Sequence, residues 1–113
     1  MAQWLGQFSG NTHATKVQDA EAALRHAVTV FHATDSSEAR ANKAKAVRGL
    51  ATRLLSARLR LLKARISAAE DHQLRHAGSP NGGIESLRLR EAKMRVEGLN
   101  AVLVEFGVSD LIA

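Results

Sequence analysis

Residues 39–69 read ARANKAKAVRGLATRLLSARLRLLKARISAA. Nine of them are basic (Arg40, Lys43, Lys45, Arg48, Arg53, Arg58, Arg60, Lys63 and Arg65) and none is acidic. Leu50, Leu54, Leu55, Leu59, Leu61, Leu62 and Ile66 are threaded between the charges. Apolar residues recur in steps of three and four, the repeat that gathers side chains on one face of an α-helix. Two adjacent seams are legible. Val47, Leu50, Leu54, Ala57, Leu61, Ala64 and Ala68 form one; Leu55, Leu59, Leu62, Ile66 and Ala69 form the other. A helix with two seams has two neighbours. The stretch therefore predicts a central helix over 37–77, roughly 60 Å long at 1.5 Å per residue. Gly49 and the capping-box pattern Ser67–Glu70 are the two places where it can break.

The flanks supply the neighbours. Val17, Ala20, Leu24, Ala27 and Phe31 make a seam that predicts a helix over 13–33. Gly10, Asn11 and Thr12 interrupt the pattern before it, which leaves 1–12 as an N-terminal anchor. Thr34 to Ser37 is a short loop, and Asp35 with Glu38 resembles a capping box. On the other side, Ala77 to Gly83 (AGSPNGG) reads as a loop. Leu89, Ala92, Val96, Leu99, Leu103 and Phe106 then predict a third helix over 84–106. Gly98 inside it costs about 1 kcal/mol against alanine, which points to a close approach of two helices. Residues 107–113 form an apolar tail in which Val108, Leu111 and Ile112 fold back on the bundle.

No segment sustains the alternation of a strand. The fold class is all-α, a single helical domain over 1–113. It is an elongated three-helix bundle with a long central helix, antiparallel in an up-down-up sense. Two seams on the central helix exceed what one short neighbour per half can cover, so the bundle is expected to close as an oligomer, a dimer or higher.

Charge is distributed unevenly. The chain carries +5 in all, +9 of it within 39–69, so mildly acidic flanks surround a basic middle. There is no cysteine, hence no disulfide framework and no thiolate metal site. No apolar run nears the roughly 18–20 residues that span a bilayer. No basic segment followed by an apolar one marks a secretory signal. A cytoplasmic location follows as the expectation, with signal-less export as the other route.

Four groups of residues are candidates for function. Lys45, Arg53, Arg60 and Lys63 fall on one side of the central helix, away from the leucines. They form a basic stripe roughly 25 Å long that suits an anionic partner, either an acidic protein or the phosphates of a nucleic acid. Arg58, Arg65 and His72 are seven residues apart and make a polar line within the apolar side. Glu91, Gly98 and Glu105 make a matching line on the third helix, placing Glu91 between Arg65 and His72 and Glu105 beside Arg58; the alternative is that both arginines reach water along their aliphatic stems. Trp4, Leu5 and Phe8 share one face of a turn, either covering an end of the bundle or docking a partner. Finally, His72 and His76 are spaced i, i+4, but no third ligand completes a metal site.

Arg65-x6-His72 loosely resembles the Arg-x4-6-His motif of HEPN-type ribonucleases, although Ile66 stands where that family has a polar residue. Trp4-Leu5-Gly6 has the Trp-x-Gly letters of small secreted helical-hairpin proteins, whose motif lies at a central turn and not at the N-terminus. Neither resemblance assigns a site here. No catalytic residue, metal or cofactor is expected. The expected function is that of a non-enzymatic helical assembly or adaptor subunit acting through self-association and protein–protein contacts. The alternative is a nucleic-acid-binding protein that uses phosphate contacts from the central helix.

Overall fold

The computed structural model describes residues 4–75 and 82–112. Three α-helices follow one another: α1 (Trp4–Ala33), α2 (Ser37–Arg75) and α3 (Gly82–Glu105). A short 3-10 turn, Ser109–Leu111, comes after them. No strand occurs among the described residues. The molecule is elongated, measuring 60 × 35 × 14 Å along its principal axes.

α1 starts nine residues before the expected position at residue 13 and runs unbroken through Gly10, Asn11 and Thr12. A glycine costs a helix about 1 kcal/mol and Asn or Thr less. That is too little to stop a helix that continues into a buried seam. The seam is Val17, Ala20, Leu24 and Phe31, with Val28 buried beside it and Ala27 half-buried. At the end of α1, the Thr34 hydroxyl donates to the Val30 carbonyl at 2.7 Å. α2 then opens on Ser36, whose Oγ accepts from the Ala39 amide at 3.4 Å. The N-cap is therefore Ser36 and not the expected Asp35, because the Ser36 carbonyl also accepts from the Arg40 amide at 2.8 Å, as a cap residue's does. The Arg40 guanidinium lies 4.6 Å from the Phe31 ring centroid and ties the two helices together across this loop.

α2 is continuous through both Gly49 and Ser67. Its first half buries Ala44, Val47, Ala51, Leu54 and Ala57 against α1 and the end of α3. Beyond that the buried face turns, and Leu62 and Ile66 become the inward residues. The expected loop Ala77–Gly83 lies largely outside the described residues, as does the end of the helix expected at residue 77.

α3 corrects the sequence reading most. Its expected seam is solvent-facing at the start: Leu89 is 73% exposed, Val96 84%, and Ala92 is exposed with them. The face turned inward carries Ile84, Gly98 and Val102, with Leu87, Glu91 and Met94 half-buried. The reason is steric. A Cβ on Gly98 would stand 2.5 Å from Leu55 Cδ1, so α3 lies closest to α2 along the line that lacks a side chain there. Only near its C-terminus does the expected seam enter the core, through half-buried Leu99 and buried Leu103.

α3 ends on Gly107, whose φ of +73° is the left-handed conformation glycine tolerates. The Gly107 amide donates to Val104 O at 3.1 Å and the Val108 amide to Leu103 O at 2.9 Å. This is a Schellman motif, and its two apolar members, Leu103 and Val108, are both buried. The turn sends the chain back, so that Val108 is fully buried and Leu111 and Ile112 pack on the core.

Candidate functional site

The basic stripe of α2 faces solvent: Lys45, Arg53, Arg60 and Lys63 are all exposed. Arg53 and Arg60 also form one wall of a groove of about 500 Å³ between α1 and α2. Lys16 and Asp19 of α1 form the other wall, over Ala20, Ala23, Ser56 and Ala57. The groove exists because both helices present alanines where they meet, which leaves a shallow trough beneath longer side chains. Among the described residues, Lys16, Arg53 and Arg60 pair with no carboxylate. Asp19 is the one acid lining the groove. Three cations with one anion make a site that attracts negative charge. Lys16 was not legible as part of it, because sequence periodicity places residues on a face of their own helix but does not say which residues of a second helix lie across from them.

The polar line is not buried: no charged or polar side chain is buried among the described residues. Arg65 and His72 are exposed, Arg58 and Glu91 are half-buried, and Glu105 is exposed. The structure pairs Arg58 with Glu105. Arg58 Nη1 donates to Glu105 Oε1 at 2.8 Å and Nη2 to Oε2 at 2.9 Å, a two-pronged pair between α2 and α3. Glu21 of α1 stands 3.8 Å from the same guanidinium, so Arg58 links all three helices. Its hydrogen bonds hold the Glu105 carboxyl below the ordinary carboxylate range, against a smaller opposing effect of burial. The Glu105 bond likewise raises the Arg58 guanidinium.

Glu91 does not lie with Arg65; it accepts from Arg95 one turn along its own helix at 3.0 Å. Arg65 instead lines a small hollow with Arg58, Leu62, Arg90 and Met94. The turn of the buried face explains this. Ile66 points inward there, and its neighbour Arg65 lies about 100° round the helix from it. A second ion pair between α2 and α3, Glu70 with Arg88, was absent from the sequence reading. The side chains of Trp4, Leu5 and Phe8, the expected docking turn, lie outside the described residues, as does His76. No group of three or more metal-ligating side chains gathers among the described residues. None of the described helices is long and apolar enough to cross a membrane.

α3 contributes the other surface feature. Leu89, Ala92 and Val96 form an exposed apolar line that continues into Leu99 and Leu103 of the core. Comparison with known protein families, curated proteins and solved structures finds no match to this chain.

Proposed function

We propose that the protein is a non-enzymatic assembly subunit: an up-down-up antiparallel bundle that pairs with a second copy of itself through α3 and offers its remaining faces to partners. The observation that supports this reading is the exposed line Leu89, Ala92 and Val96, whose two large members are 73% and 84% exposed. Leucine and valine spaced by seven residues form the repeat used where one helix pairs with another. Here the repeat runs out of the core onto open surface without a break.

A second copy suits that surface better than an unrelated partner does. A twofold axis lays a line on its own counterpart, so one sequence provides both halves of the contact. The thinnest dimension, 14 Å, also holds no more than two helix layers spaced about 8–10 Å apart. Pairing would cover the open line with a further layer. Light scattering at micromolar concentration tests the proposal. A mass of at least twice the 12.2 kDa chain is expected, and a mass of one chain overturns it.

A further inference from the structure

We infer that the face shared by α1 and α2 docks the phosphate backbone of a double-stranded nucleic acid, with Lys16, Arg53 and Arg60 as its centre. This inference is independent of self-association, which rests on α3. Three observations carry it. First, the groove gathers three cations from two helices around one acid, Asp19, over a floor of small residues that lets a ligand approach closely. Second, the described structure gives these cations no internal carboxylate, unlike Arg58, Arg75, Arg88 and Arg95. Third, the charge does not stop at the groove.

That third point identifies the occupant. Lys45 and Lys63 extend the same exposed side of α2 beyond both ends of the Arg53–Arg60 pair. The line is roughly 25 Å long at the rise of an α-helix, too long for one phosphate-bearing small molecule to reach. A polymer of phosphates fits it. Single strands are held largely by stacking bases on aromatic rings. No phenylalanine ring lies on this face among the described residues, since Phe31 is buried and Phe106 packs on the core; the imidazole of His13, one turn before Lys16, is half-buried. Cations alone read backbone charge, and duplex DNA carries one charge per about 1.7 Å of axis. Binding of this kind is indifferent to base sequence.

Fluorescence anisotropy with a random duplex of about 20 base pairs tests the inference, read from 50 to 200 mM salt. Five phosphate contacts give a slope of log affinity on log salt near −4.5, about a 500-fold loss across that range. The variant K16Q/R53Q/R60Q should keep its helicity and molar mass. It leaves two contacts, so its slope falls to about −1.8 and its loss to about 12-fold. Asp19→Asn should tighten binding. The matched variant K43Q/R90Q/K93Q removes as much charge from exposed positions off this face and should keep a steep slope. If the groove triple fails to fold, K45Q/K63Q supplies the test outside the groove, with an expected slope near −2.7. The inference is overturned by absence of binding, by tighter binding of a single strand than of the duplex, or by equal losses in the groove and matched variants.

Discussion

Two glycines sit in the middle of helices, and their surroundings give them opposite roles. Gly49 is exposed, and a Cβ there would meet nothing within 4 Å. Gly49→Ala should therefore raise stability by about 0.5–1 kcal/mol, the helix-propensity gain alone. Gly98 would gain the same propensity, but its Cβ would force Leu55 aside. Overpacking of that kind costs about 1–3 kcal/mol, so Gly98→Ala should lower stability by about 1 kcal/mol. Urea unfolding at one fixed protein concentration measures both, and equal signs would remove the steric account of the α2–α3 approach. The same scale holds the Arg58–Glu105 pair. The folded carboxyl of Glu105 titrates below its ordinary value of 4.5, chiefly through its hydrogen bonds to Arg58. Below that value the unfolded chain binds more protons, so stability rises with pH through this range. The contribution is complete above about pH 5.5 and is lost as pH falls through the lower, folded value. Glu105→Gln should be less stable than the parent at pH 7 and should lose less between about pH 6 and 3. Because half of the Glu105 side chain is in solvent, the coupling in a double-mutant cycle with Arg58→Gln should be only about 0.5–1 kcal/mol.

Among the elements, α3 shows best what a sequence does and does not reveal. Its existence was legible from its apolar repeat and from the Pro80 and glycine punctuation before it. Its facing was not. Two apolar lines run along it, and periodicity ranks the line with the bulkier residues first. Packing preferred the line with Gly98, because Leu55 fills the space a side chain would need. The displaced line, Leu89 and Val96, is where self-association would act. L89E/V96E alters residues already in solvent, so within one chain its cost should be small. In a dimer it buries like charges, so the variant should run as a single chain with its helicity intact. The parent's melting temperature should rise with protein concentration and the variant's should not. A concentration-independent parent would count against α3 as an interface. The other misreadings are local. Ser36, one residue on from Asp35, supplies the cap through its own hydroxyl, and Gly10 costs the helix only about 1 kcal/mol, too little to end it. Lys16 escaped notice because its partners in the groove lie some 40 residues away in sequence.

At the scale of the whole molecule, three helices and their elongated arrangement followed from the two seams of α2. The arrangement of charge across helices needed the structure. One consequence of the acid-free run of α2 concerns the solvent around the protein. Arg40–Lys43, Lys45–Arg48 and Arg60–Lys63 are like charges three residues apart on one helix, each costing about 0.2–0.5 kcal/mol. Of the nine cations in the run, only Arg58 meets carboxylates within the described chain. The folded protein is thus under electrostatic tension that dissolved ions relieve. Raising sodium chloride from about 10 to 150 mM shortens the screening length from roughly 30 to 8 Å, and the melting temperature should climb. A fall over that range would mean that attraction, not repulsion, dominates the charge balance. A phosphate polymer lying along α2 would relieve the same tension, most strongly where salt is scarce. Ion-poor solution would then be at once where the free protein is least stable and where a bound duplex protects it most.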